Sequence, residues 1–275
     1  MKIAIHGITT RSGSFPEHLA AYEKTGWKHF EINLWNAGTF IEENGVEATA
    51  RLVADHGLTC VGATGLGLST FGDDAARAAN IEQVKRYGEA MQALGCRPLV
   101  IGSDGPAEKD RSNYSRHLDT LARHINAVAE AAQPFGVQLA VEVNWTALCR
   151  SFRTAADLVK RVRRDNVGLV WDPAHFFSTP SRLDDLELAQ GKIIHAHTND
   201  IRECFIEVMD INGDRVIPGQ GVLPLREWSD QVTACGYDGY HCVELFSEEL
   251  WAKDTETICR EVMAGCKQVW PDATF

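Results

Sequence analysis

The stretch VGLVWDPAH, Val167 to His175, decides how this chain is read. It begins as an uninterrupted apolar run, the pattern of a strand buried on both faces. Pro173 ends it, because proline has no N–H to give a sheet ladder. Just before the proline stands Asp172, and His175 follows three residues later. An apolar strand that ends in a carboxylate and an imidazole needs a reason, and the flanking sequence supplies one.

Outward from this stretch, short β-rich runs alternate with longer helical patterns. KIAIHG, HFEINLW, TCVGATG and PLVIGS read as strands one to four; VQLAVEVN, VGLVWD, IIHAHTND and YHCVELF read as five to eight. Between them lie helices punctuated by glycine, such as PEHLAAYEKTG closing on Gly26 and VEATARLVADHG closing on Gly57. Thr154 to Asp157 reads as a capping box opening the helix before strand six. A short helix is expected near Leu183 to Leu188, and a final one from about Glu248 to Val269. LWNAGTF, after strand two, reads as a loop. Eight strands in strict alternation with eight helices predict α/β architecture: one (β/α)8 TIM barrel spanning residues 1–275. GATGLGLSTFG lacks the spacing of a Rossmann fingerprint or a P-loop.

Chemistry on such a barrel gathers at the C-terminal strand ends, and residues i and i−2 of a strand share a face. With Glu142 inward, Ala140 is inward too, and Val141 and Val143 face the helices. Asp172 brings Val170 inward and leaves Trp171 and Leu169 outside; His197 brings His195; Glu244 brings Cys242. Every assignment leaves apolar bulk on the outer face. Glu142, Asp172, His197 and Glu244 then project at a common height from strands five to eight. One acid at a strand end is usually a cap or a surface group, but four at matched register are hard to obtain by accident. Burying three carboxylates together without a counter-charge is costly, and a divalent cation removes that difficulty. His175 returns over the mouth, in contact with substrate or the metal sphere. His195, one layer deeper, reads equally as a buried structural histidine or as a group supporting the ligands. His18, His29, His117, His124 and the outward-facing His241 read as structural or solvated.

The ordered segments AVEVN, WDPAH, HAHTND, PGQG and CVELF resemble the xylose isomerase-like barrel superfamily, and within it the sugar phosphate isomerase/epimerase group, which includes ketose 3-epimerases, hydroxypyruvate isomerase and inosose-processing enzymes. The likeness spans the chain through its strand order, and its sharp motifs lie between about Ala140 and Phe246. It implies one divalent metal on Glu142, Asp172, His197 and Glu244, and a substrate contact at His175. It also implies an arginine near the PGQG turn that holds substrate oxygen, a place either Arg202 or Arg215 fills. The segment DIRECFIEVMDINGDR is longer than in the short epimerases, so the two are not separated by alignment. Dimers and tetramers are common in that group, so a homo-oligomer is expected by analogy.

Three carboxylates and one imidazole suit manganese first, with magnesium, cobalt, iron or zinc as further candidates. The chemistry implied is isomerisation or epimerisation of a keto-sugar or related polyol ketone through an enediolate, with Glu142 and Glu244 as acid and base. His6, Trp35 and Trp145 are candidates to line the mouth, although core packing is the commoner use of tryptophan. The main alternative is a metal-dependent lyase or dehydratase acting on a keto-sugar or keto-glycoside, since it shares the enediolate. A non-catalytic sugar-binding barrel has little need of a glutamate pair. An endonuclease IV-like phosphodiesterase needs three zinc ions and histidines that strands three and four lack.

Bulk properties agree. The formal net charge of −11 and a pI near 5.4 weigh against nucleic acid as a partner. The one compact basic cluster, KRVRR (Lys160–Arg164), lies late in a helical pattern, where cations suit the dipole. The eight cysteines show no CxxC spacing, which fits reduced thiols and a cytoplasmic location. No signal-peptide h-region and no apolar run of membrane-spanning length are seen.

Overall fold

The computed structural model describes residues 1–106, 113–144 and 148–275. Its strands are β1 (Lys2–His6), β2 (His29–Asn33), β3 (Thr59–Gly67), β4 (Pro98–Gly102), β5 (Gln138–Glu142), β6 (Val167–Trp171), β7 (Ile193–Thr198), β8 (Asp200–Ile201), β9 (Arg215–Val216) and β10 (Tyr240–Val243). Eight of them, all paired in parallel, close a barrel in the order β1-β10-β7-β6-β5-β4-β3-β2. The remaining pair, β8 and β9, forms a small antiparallel ribbon beyond the end of β7.

The helices are α1 (Phe15–Thr25), α2 (Leu34–Asn44), α3 (Val46–Asp55), α4 (Asp74–Leu94), α5 (Tyr114–Ala132), α6 (Phe152–Val162), α7 (Pro173–Ser178), α8 (Leu225–Ala234), α9 (Glu248–Trp251) and α10 (Thr255–Val269). The alternation is therefore less strict than expected. β2 passes into α2 with no loop, because the Asn33 side chain caps the helix and accepts from the N–H groups of Trp35 and Asn36. LWNAGTF is helical for that reason. The cap of α6 is Ser151, not the Thr154–Asp157 box: Ser151 has extended backbone, and its Oγ accepts from Thr154 N–H at 3.2 Å. The expected final helix is two, since Asp254 caps a fresh start at α10 by accepting from Thr257 N–H. The short helix after α7 is a 3-10 turn over Leu183–Ala189.

Two apolar layers result. A large core between barrel and helices includes Trp27, Phe30, Phe152, Leu169 and Trp171. Inside the barrel Val100, Ala140 and Val170 form a small apolar plug, with Ile194 against it. Outward Trp171 and Leu169 and inward Ala140 and Val170 follow the expected alternation. The rest of the interior above and beside the plug carries buried polar groups, among them His6, Glu31, Thr64, His195 and His197. All eight cysteines are free thiols, and seven are buried. No helix among the described residues is long and apolar enough to cross a membrane.

Ladder register sets the height of the site. Ala140 sits opposite Gly168, His195 opposite Val170, and His197 opposite Cys242. Asp172 and Glu244 therefore each lie one inward-facing step further along their strands than simple pairing would place them. Such a stagger is what barrel closure requires, and it brings the four strand ends level about the axis.

Candidate metal centre

Each acidic or imidazole group of the cluster is placed by a strand end. Glu142 is the last residue of β5, His197 lies on β7, and Glu244 follows β10 with its N–H donating to Thr198 O at 3.1 Å. Asp172 follows β6 and caps α7: its Oδ1 accepts from His175 N–H at 2.9 Å. Its Oδ2 accepts from Asn199 Nδ2 at 3.0 Å, while Asn199 Oδ1 accepts from Ala174 N–H. The carboxylate is thus held from both sides before any ligand is considered. One ligand atom from each of Glu142, Asp172, His197 and Glu244 lies within 4.8 Å of the other three. His197 Nδ1 points at the carboxylates, 3.1 Å from Glu142, 3.4 Å from Glu244 and 3.6 Å from Asp172.

Arg215 is the counter-charge. It lies on β9, is 1% exposed, and Nη1 donates to Glu244 Oε2 at 2.6 Å and to Asp172 Oδ2 at 3.1 Å. Nη2 donates to His175 Nε2 at 3.1 Å. Burial alone would push the Asp172 carboxyl up; Arg215, with His175 and His197 behind it, outweighs burial and holds it well below the usual carboxylate range. Glu244 is lowered against the same burial cost by His197 and Arg215. Burial opposes charge on His197, yet Glu244, Glu31 and the hydrogen bonds the ring donates to its carboxylate neighbours raise it well above an ordinary histidine. The protein therefore concentrates three carboxylates at this point and sets against them the fixed charge of Arg215 and a His197 ring whose protonated form they favour.

Beneath the cluster lies a second polar layer. Glu31, on β2, is fully buried; His195 Nε2 lies 2.9 Å from its Oε2, and His197 Nε2 lies 3.3 Å from the same oxygen. His6 approaches from the other side. Ile8 N–H donates to its Nδ1 at 2.9 Å, which leaves the proton on Nε2 to donate to Thr64 Oγ1 at 2.9 Å, with Glu244 Oε1 3.6 Å away. Above the cluster opens a cavity of about 380 Å³, with Glu142, His175 and Glu244 on its polar side and Trp35, Ile211 and Phe246 on its apolar side.

The model of the family described as "Xylose isomerase-like TIM barrel" matches residues 19–268. The chain belongs to the xylose isomerase-like TIM barrel family. An inosose isomerase from Bacillus velezensis is 27% identical over 261 residues, covering 93% of this chain and 92% of that protein. A 3-dehydroshikimate dehydratase from Pseudomonas aeruginosa is 27% identical over 254 residues, 89% of this chain but 38% of that longer protein. Among solved structures, that of an IOLI protein with a bound zinc atom superposes with a TM-score of 0.89 at 24% identity, covering 98% of both chains, which establishes the shared fold.

Within this xylose isomerase-like TIM barrel, Glu142, Asp172, His175, His197, Arg215 and Glu244 come together. Arg202 does not: its side chain is half exposed and pairs with Asp214 at 3.2 Å on the ribbon. His6 is fully buried beneath the cluster and is not among the residues lining the cavity. Trp35 reaches the cavity rim, 64% exposed, whereas Trp145 lies outside the described residues. Sequence reasoning missed Glu31, although the alternation of HFEIN, with Phe30 and Ile32 outward, marks it as inward-facing. It also missed Asp200, whose carboxylate accepts from the N–H groups of Gly219, Gly221 and Leu223, each at 3.0 Å, and so locks the PGQG turn beside the site.

Proposed function

We propose that this protein is a divalent-metal-dependent isomerase or epimerase of a neutral polyol ketone, of the keto-sugar or inosose class. The observation that carries the reading is the convergence of four ligand atoms from the ends of β5, β6, β7 and β10 within 4.8 Å, two of them, on Glu142 and Glu244, from residues that line a 380 Å³ cavity. The donor set fits a hard or borderline dication: three anionic oxygens and one imidazole nitrogen, with Glu142 facing the cavity. Manganese is the first choice, with magnesium, cobalt, iron and zinc as alternatives. The similarity to inosose isomerase over nearly the full length supports the substrate class.

Glu142, Asp172, His197 and Glu244 would hold the cation, which when bound supplies Lewis acidity to polarise the ketone and acidify the neighbouring C–H. Glu142 and Glu244 enter the cavity from strands on opposite sides of β6 and β7. One takes the α-proton and the other returns a proton, to the opposite face or the adjacent carbon. Arg215 fixes the Glu244 carboxylate through Nη1 and keeps it ionised. His175, held by Arg215 through Nε2, presents its edge to the substrate hydroxyls. His6, its Nε2–H given to Thr64, packs 3.6 Å below Glu244 Oε1 and limits the room for that carboxylate to turn. Trp35, Ile211 and Phe246 give the substrate an apolar wall and restrict water at the reacting carbon.

A second reading, a lyase that uses the same proton abstraction and then expels a β-leaving group, is favoured by the similarity to 3-dehydroshikimate dehydratase. One experiment separates the two: metal analysis of the purified protein, followed by NMR in D2O of a panel of inososes, ketohexoses and 3-dehydroshikimate. Deuterium entering the α-position with carbon skeleton and hydroxyl count retained supports isomerisation; loss of water supports the lyase. Metal-free protein with no exchange on any ketone would sink both.

A further inference from the structure

His197 is caught between two sets of acceptors. Its Nδ1 faces the carboxylates of Glu142, Glu244 and Asp172, and its Nε2 faces Glu31, 3.3 Å from Oε2 and 3.5 Å from Oε1. A histidine that ligates a cation is neutral and carries one proton, and the hydrogen-bond acceptor beside each nitrogen decides which one is left with the lone pair. We propose that Glu31 is the positioning residue that keeps the His197 proton on Nε2, so that Nδ1 faces the cation, and that it thereby sets how tightly the cation is held. The inference rests on the reading of the cluster as a metal site.

The surroundings of Glu31 fit this role better than that of a packing residue. A carboxylate with no solvent exposure inside a barrel costs several kcal/mol of desolvation before its partners are counted. Its partners are three imidazoles, His195 at 2.9 Å, His197 at 3.3 Å and His6 at 3.8 Å, together with the Cys242 thiol. His195 anchors Oε2 from below, and the space for its ring comes from Gly62 on β3, where an added Cβ would stand 2.6 Å from His195 Cε1. The β2–β3 ladder shifts register between Phe30 and Glu31, so the strand is locally irregular where Glu31 turns inward. Because an ionised carboxylate only accepts, Glu31 can accept hydrogen bonds from both His195 and His197 through either oxygen; an amide puts an NH2 donor in place of one oxygen and removes the negative charge that draws both N–H groups.

Glu31, His195 and Cys242 also have ligand atoms within 4.8 Å of one another. A second cation there is the competing use of this layer, but the close Glu31–His195 contact already pairs two of the three groups.

The test compares wild-type protein with Glu31→Gln and His195→Gln, using Mn2+ affinity by chelator competition and crystal structures of the zinc-loaded proteins. Metal-ligand supports of this kind are worth about ten- to a hundredfold in affinity. The expected result is one cation per wild-type chain bound through His197 Nδ1, an Mn2+ Kd raised about ten- to a hundredfold in Glu31→Gln, and a smaller rise in His195→Gln, which keeps the Glu31–His197 contact. The ring should be rotated or displaced from the cation in the zinc-loaded Glu31→Gln structure, an outcome that general loosening of the fold does not produce. If Glu31→Gln fails to fold, the zinc-loaded wild-type structure still decides: coordination through Nε2, or Nε2 turned from Glu31, overturns the proposal. Equal affinity and an unmoved ring in Glu31→Gln overturn it while leaving the metal site standing, as does a second cation on Glu31, His195 and Cys242. A wild-type chain that takes up no cation sinks the metal reading itself, and this proposal with it.

Discussion

Arg215 Nη1 lies 2.6 Å from Glu244 Oε2, and the guanidinium that makes this contact is fully enclosed. The same nitrogen reaches Asp172, so one cation from the β8–β9 ribbon compensates two carboxylates from different barrel strands. Removing one partner of such a buried set costs about 3–5 kcal/mol, because the other charge is left without compensation. Arg215→Met is therefore expected to destabilise the metal-free protein by about that amount. Divalent metal should recover more stability in the variant than in wild type, since a bound dication neutralises the same carboxylates. Thermal unfolding with and without metal measures both; an equal metal-induced shift in the two proteins would separate Arg215 from the cluster.

Glu142→Gln and Glu244→Gln each retain the size of the side chain and remove a base. Each is expected to lower solvent-deuterium exchange into the ketone substrate at least a hundredfold, the lower end of the range for general acid–base catalysis. NMR in D2O reads the exchange directly. Wild-type exchange in either variant would remove the two-glutamate mechanism.

Asp200 tests the local scaffold. Three backbone donors of the turn, and Ile201 N–H at 2.9 Å, end on its carboxylate. Asp200→Ala leaves them without their acceptor, at about 1–3 kcal/mol for each group that stays buried. A loss of roughly 3 kcal/mol or more is expected in urea unfolding. A variant within 1 kcal/mol of wild type would mean that water replaces the carboxylate at about the ordinary net worth of one hydrogen bond.

His241 gives a pH dependence. Burial, with His195 and the N-terminal amine adding to it, pushes the ring down to about 3 from 6.5. The folded protein therefore keeps this histidine neutral while the unfolded chain protonates it. Stability from this site is fully present above pH 6.5 and is lost as pH falls from there toward 3. At pH 5 the loss is about 2 kcal/mol, at 1.36 kcal/mol per pH unit. His241→Gln should lose about that much less between pH 7.5 and 5, read as the difference in urea midpoints. Parallel losses in the two proteins would refute the assignment.

Much of the fold and half of the site could be read in one dimension, for a definite reason. Strand faces follow a period of two that tertiary structure does not alter, so the inward positions of Ala140, Glu142, Val170 and Asp172 were legible once the strands were located. Chain order placed the metal-capable groups on successive strands, and parallel pairing made those strands neighbours. Local side-chain capping was less legible: Asn33 converts a strand end directly into α2, and Ser151 starts α6 where a later Thr–Asp pair had the more familiar spacing.

What the sequence determined by itself was the order of the strands, the face each side chain occupies, and hence the set Glu142, Asp172, His197 and Glu244. Tertiary structure alone decided which arginine stands among them and which carboxylate lies beneath. Arg202 directly follows β8 and Arg215 lies on β9, but only Arg215 is turned toward the barrel axis, and its reach depends on how β9 packs over Glu244. Glu31 sits more than a hundred residues from His195 and His197 and meets them only because the barrel closes. Periodicity acts through neighbouring backbone units, whereas these contacts depend on curvature, stagger and side-chain length, which a single chain order does not encode locally.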